Sequence, residues 1–250
     1  MGGIYSTQTR FVGTVILTEG QTFTERHEDY LATSEAPMFF ENHQFFKIRL
    51  DKVAESFKDG LPLNLICRIK LEDGARTGNY VVRINQPFEY KKTNFLIHNH
   101  GYAPHFVITN RTGNEVFHSY VNLYTTAGVP DDHFNVPGTD LAVYVRLFPD
   151  AELRGERLRE VSRELKNPAM RLRIIRQTNE GVFKETLYNG HAFKNEAIKF
   201  DNYVLSYDDI RHWVRFEVRK DRGVPIIFAG FWVGIFGLCV RFLASFIRWN

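Results

Sequence analysis

The sequence predicts a mainly β, antiparallel domain followed by one C-terminal transmembrane helix. Three observations carry this. Short runs that alternate apolar and polar residues, separated by polar turns, recur from Phe11 to Val218. Aromatic residues are abundant, with 22 Phe and 11 Tyr, and such rings favour half-buried sheet surfaces. The stretch from Val224 to Val240 contains no charged residue. At 250 residues, with 44% hydrophobic and 24% charged side chains, the chain can bury a substantial core.

The elements follow in order. Residues 1–10 read as the end of a membrane helix or a leader segment. Met1 to Ser6 is too short for a signal peptide, and Gly2-Gly3-Ile4 looks like a helix end. Residues 11–222 form the β-rich domain. Phe11–Leu17 reads as a strand and Glu19-Gly20 as a turn. Phe46–Leu50, Leu63–Leu71 and Tyr80–Ile84 alternate as half-buried strands. Asn85-Gln-Pro87 breaks the pattern. Phe95–His98 resumes it, Gly101-Tyr-Ala-Pro104 interrupts it, and His105–Thr109 and Glu115–Leu123 continue it. Leu141–Leu147 is a strand. Pro149–Lys166 is rich in Glu and Arg, and Leu153, Leu158, Val161 and Leu165 fall near one helical face, so a short helical excursion is expected there. Met170–Ile175, Val182–Leu187, Ala197–Phe200, Asn202–Ser206 and Trp213–Val218 return to strand. The sum is a multi-stranded sandwich or barrel-like domain.

Residues 223–248 read as the transmembrane helix. A bilayer core needs about 20 apolar residues. Arg241 extends the usable length by snorkelling, Trp249 supplies an interfacial ring, and Arg222 marks the opposite boundary. The alternative is a buried hairpin or core helix. Gly230 and Gly234 share a face and, with Gly237, would let a partner helix approach closely. Arg219, Lys220 and Arg222 precede the helix, and Arg241 and Arg248 follow it, so the positive-inside rule does not decide orientation. Only Arg219–Arg222 separates the last strand from the helix, which holds the domain close to the bilayer.

Charge and motifs exclude several functions. The net charge is +3, with no basic stripe interleaved with aromatics, which argues against nucleic acid. Cys67 and Cys239 fall in a strand and in the apolar run, so both read as free, buried thiols. No CxxCH attachment site for covalent haem occurs. His98 and His100, two apart on a strand, would point the same way and are the weak candidates for holding a metal or haem iron. The plainer reading makes them polar strand residues. Glu25, Glu28 and Asp29 beside His27 form a charged connecting segment. Neither a catalytic constellation nor a metal-ligand spacing is found.

Four segments resemble the ResB family of System II cytochrome c maturation. Phe11-Val-Gly-Thr-Val-Ile-Leu-Thr-Glu-Gly20 is similar to the family's segment after a membrane helix. Val82-Arg-Ile-Asn-Gln-Pro-Phe-Glu-Tyr90 resembles its VNxPLxY strand, with departures at Gln86 and Phe88. His98-Asn-His-Gly-Tyr-Ala-Pro104 falls where the family has a short polar segment. Val218-Arg-Lys-Asp-Arg-Gly-Val-Pro225 resembles the DPGxPxxxxG entry to its last helix, with Arg222 in place of a proline. The resemblance implies an extracytoplasmic domain, in the periplasm or a thylakoid lumen. It also implies a CcsA/ResC-like membrane partner and haem delivery to apocytochrome c. The family's haem-handling histidine lies in an upstream membrane helix, so no residue here inherits that role, and haem would be non-covalent and reached only through a partner. A structural subunit that positions cytochromes or oxidoreductase subunits in a membrane redox complex is the alternative. In either case the chain is not expected to be an enzyme by itself.

Overall fold

The computed structural model describes residues 2–39, 43–59, 61–124, 131–155, 157–177, 184–221 and 223–248. Among the described residues, two α-helices, α1 (Gly2–Thr9) and α2 (Gly223–Arg248), flank seventeen strands. The first seven are β1 (Phe11–Thr18), β2 (Thr22–Thr24), β3 (Ala32–Glu35), β4 (Lys47–Lys58), β5 (Leu61–Asp73), β6 (Arg76–Arg83) and β7 (Phe88–Tyr90). Next come β8 (Thr93–Asn110), β9 (Glu115–Tyr120), β10 (Asp132–Asn135), β11 (Leu141–Phe148), β12 (Asp150–Arg154) and β13 (Arg157–Ser162). The last are β14 (Ala169–Gln177), β15 (Lys184–Phe193), β16 (Ile198–Phe200) and β17 (Tyr203–Lys220).

The spine is the antiparallel pair β8 and β17, each 18 residues long. At roughly 3.3 Å per residue, such strands would reach about 60 Å if straight. That is long enough to serve two cores. Toward the helices, β17 also pairs with β1, and β1 with β3. At the far end, β16 pairs with β17 and β9 with β8. A second sheet, β2-β4-β5-β6, covers the near half, and a third, β10-β11-β14-β15, covers the far half.

Period-2 alternation explains both cores. Along β17, Val214, Phe216 and Val218 point toward the second sheet and meet Ile48, Leu50, Ile69 and Leu71. Leu205 and Tyr207 of the same strand, with Phe106 and Ile108 of β8, pack on Val143, Val145, Leu172 and Ile174 of the third sheet. Trp213 alternates with Val214 along β17, between Thr18 of β1 and Gly101 of β8, and is fully buried. Its indole N–H donates to the Leu123 carbonyl at 3.0 Å. Gly101 stands directly across from Trp213. A Cβ there would lie 2.5 Å from the Leu123 oxygen and 2.8 Å from the indole nitrogen, so the position requires glycine.

The mainly β, antiparallel class is as expected, with two corrections. The segment around residues 149–166 is not a helix but the hairpin β12–β13. Gly155 takes a left-handed φ of 62°, which permits the tight turn, and Leu153 then stands opposite Leu158. Cross-strand pairing thus satisfies the leucines that suggested a helical face. Gly101–Pro104 does not interrupt the chain either, because β8 runs through it. Pro104 sits opposite Ile210, where β17 bulges between Tyr207 and Ile210, so its missing N–H falls where the ladder is already irregular.

α1 packs alongside α2, and both leave the sheet at the same end, since Phe11 of β1 is opposite Lys220 of β17. The first turn of α2 is capped: Gly223 N–H donates to the Asp221 carboxylate at 2.8 Å. The helix covers 26 residues. Its described side chains run from Ile226 to Phe242, about 25 Å of axis at roughly 1.5 Å per residue. Among the described residues, no helix is long and apolar enough to cross a membrane.

Candidate functional site

The near core is closed at both ends by buried ionic groups. The inner face of β17 reads His212, Val214, Phe216, Val218, Lys220, an apolar run with a basic residue at each end. Each base meets a carboxylate from another element.

At the helix end, Glu25 is fully buried. It follows β2, and Phe23 in the core pulls the chain inward there. The Lys220 ammonium donates to Glu25 Oε1 at 2.7 Å with only 3% of its side chain exposed. The Tyr30 hydroxyl donates to the same oxygen at 3.2 Å, and His43 Nδ1 lies 2.8 Å from it. The Gln44 backbone N–H donates to the other oxygen. Burial alone would raise the Glu25 pKa. The Gln44 N–H, Lys220 and His43 outweigh it and hold the carboxyl below the usual range. Burial and the Glu25 charge push the Tyr30 phenol well up. Tyr30 stacks edge-on to Phe11 at 5.1 Å. Gly13 makes room for its ring, since a Cβ there would lie 2.5 Å from it.

The second cluster lies between the two cores. Glu55 of β4 is 2.7 Å from His100 Nδ1 on β8 and accepts from the Tyr102 hydroxyl at 3.4 Å. Glu19 accepts from the Val53 N–H at 2.7 Å and lies 3.3 Å from Lys52 and 3.8 Å from His212 Nδ1. The His212 ring packs on Tyr102 at 4.9 Å. Burial opposes ionised Glu55, but His100 and His212 prevail and keep its pKa low. Burial pulls the His212 imidazole down, against the Glu55 and Glu19 charges. Cys67 lies in the near core, where burial pushes its thiol up to about 12. Both cysteines are free, but Cys239 is exposed on α2 rather than buried.

His98 and His100 do not act together. The ladder opposes Ile97 to Phe216 and Asn99 to Arg215, which leaves His98 as the extra residue of a bulge. The bulge reverses the expected common direction. His98 is exposed and lies 3.8 Å from Glu217 on the outer face, while His100 turns inward to Glu55. The two rings therefore face opposite sides of the sheet and cannot ligate one iron together.

Gly230, Gly234 and Gly237 lie on α2 with open space where a Cβ would be added. Arg241 is exposed. Arg222 and Trp249 fall outside the described residues. Lys220, one of the basic residues that precede the helix, is buried. The sequence carried one weak sign of this: Lys220 continues the inward period of Val214, Phe216 and Val218. Sequence reasoning also missed that His27, Glu35 and His43 converge, with ligand atoms within 4.8 Å of one another. They lie on three separate segments, and no spacing motif links them.

Fold and site define an antiparallel double sandwich whose first and last segments are adjacent helices at one end. The chain belongs to the ResB-like family, which matches residues 1–249. That membership connects it with cytochrome c biogenesis or a related role. No curated protein matches the chain.

Proposed function

We propose that this chain is a membrane-anchored accessory protein of cytochrome c biogenesis that works with a CcsA/ResC-like partner in haem delivery to apocytochrome c. The observation that carries the reading is α2. Phe228, Phe231, Trp232, Val233, Phe236 and Phe242 are each at least 59% exposed, and apolar side chains point to all sides of the helix. A helix that is apolar all round needs a core or a lipid phase. Here lipid covers one side, and a partner helix sits on the Gly230, Gly234 and Gly237 side. The domain lies extracytoplasmically against the bilayer, in the periplasm or a thylakoid lumen. Haem is held non-covalently by the partner, and this chain contributes position.

A second reading, a structural subunit of a membrane redox complex, is favoured by the Lys220–Glu25 pair at the helix base and by the opposite facing of His98 and His100. Purification from native membranes in mild detergent separates the two. Mass spectrometry and a visible spectrum are taken on one sample. A CcsA/ResC-like protein with non-covalent haem supports the biogenesis role. A stoichiometric set of oxidoreductase or cytochrome subunits without it supports the structural one. Recovery of the chain in the soluble fraction would overturn both.

A further inference from the structure

We propose that His27, Glu35 and His43 form a site for a divalent transition-metal ion of the zinc type at the helix end of the domain. This site is independent of the partner assignment above.

Three arguments lead to it. The first is the donor set. Two imidazoles and one carboxylate suit Zn²⁺, which takes nitrogen and oxygen at about 2.0–2.2 Å in tetrahedral geometry. They do not suit Mg²⁺ or Ca²⁺, which prefer oxygen alone. The second is convergence. One donor atom from each residue lies within 4.8 Å of the others. Tetrahedral coordination needs donors roughly 3.4 Å apart, from the bond lengths above. His27 and Glu35 are both exposed, at 59% and 39%, and rotation of their side chains closes the gap. His27 Nδ1 is already 3.2 Å from Glu35 Oε1, and the His27 and His43 rings lie edge to face at 5.7 Å.

The third argument is the support behind His43. Its Nδ1 is bonded to buried Glu25 at 2.8 Å. A proton held there leaves the lone pair on Nε2 free for a metal. This carboxylate–histidine arrangement is how proteins fix the tautomer and orientation of a ligating imidazole. Glu25 is itself held by Lys220 and the Gln44 N–H, so it serves as a positioning residue. Three ligands leave a fourth position for water or an external donor.

The ligands come from separate segments: His27 from the short 3-10 turn His27–Asp29, Glu35 from the end of β3, and His43 from the approach to β4. An ion would clip these onto the edge of the spine, beside the strand end that leads into α2. Metal binding would therefore stiffen the edge nearest the helices.

The test uses the full chain in detergent, stripped with chelator and titrated with Zn²⁺ by calorimetry. Co²⁺ absorption reports the geometry. One Zn²⁺ per chain is expected, with a Tm that falls on chelation and recovers on adding Zn²⁺. His27→Ala and Glu35→Ala, both at exposed positions, should retain the fold and weaken binding at least 100-fold. His118→Ala, at an exposed pair with Glu115, should bind as the parent does. Glu25→Gln should keep the stoichiometry, weaken binding about 10–100-fold and shift the Co²⁺ bands. Absence of stoichiometric Zn²⁺ binding, or unchanged affinity in His27→Ala, overturns the proposal.

Discussion

The two ends of the near core solve one problem with different cations. At the helix end a buried carboxylate, Glu25, meets an ammonium, Lys220. Between the cores a nearly buried carboxylate, Glu55, meets an imidazole, His100, with His212 close by. An ammonium keeps its charge across the physiological range, while imidazoles titrate within it. The helix end is dominated by its ammonium, although His43 also lies 2.8 Å from Glu25, whereas the belt between the sandwiches contains His212, whose imidazole pKa is pulled down by burial. The protein has placed its constant charge pair where the domain meets its helices and its variable one where its two halves meet.

The largest effect should come from breaking the Lys220–Glu25 pair. Lys220→Met leaves Glu25 buried without its main counter-charge, and such losses cost about 3–5 kcal/mol. Urea denaturation measures this. Adding Glu25→Gln should recover some of the loss, because the uncompensated charge goes with it. A cost under about 1 kcal/mol would mean that water reaches the pair.

Glu55→Gln should cost less, about 1–3 kcal/mol, since His100 keeps a neutral acceptor and is itself partly exposed. Equal costs at the two ends would erase the distinction between them.

The comparison sharpens with pH. The His212 imidazole is depressed in the folded protein, so the unfolded chain binds that proton more readily. Stability should therefore drop on acidification below the ordinary histidine value of about 6.5. Glu25 and Glu55 are depressed acids. Their contribution is present above the ordinary carboxyl value of about 4.3 and is lost below it. Thermal denaturation from pH 7.5 to 3.5 should show two successive losses. His212→Gln should remove the first and leave the second. A single loss near pH 4 in the parent protein would rule out the histidine belt.

The smallest effect on the fold should come from Gly234→Leu, where an added side chain meets open space. Domain stability should stay within about 0.5 kcal/mol, while co-purification with a membrane partner weakens. Unchanged co-purification would remove the glycine face from the docking surface.

Much of the fold was legible because alternation is local. Met170–Ile175 and Trp213–Val218 announce their inward faces residue by residue. The hairpin at β12–β13 was hidden because Leu153, Leu158 and Val161 satisfy two periodicities, and only the Gly155 turn decides between them. The direction of His98 was hidden for a related reason. A bulge is set by the partner strand, and nothing in His98-Asn-His100 signals that Phe216 and Arg215 will oppose three residues with two. The ion clusters were least legible. Glu25 and Lys220 are 195 positions apart, and their pairing is a property of how β2 and β17 come together.

The β8–β17 pair also has a mechanical meaning. α2 begins three residues after the end of β17, so a force on the helix is delivered to the end of that strand. The hydrogen bonds to β1 and β8 lie across the strand axis and are loaded together in shear, whereas a hairpin pulled from its open end would unzip bond by bond. Tension applied at the helix would thus be shared along the whole strand and carried past the first sandwich into the second.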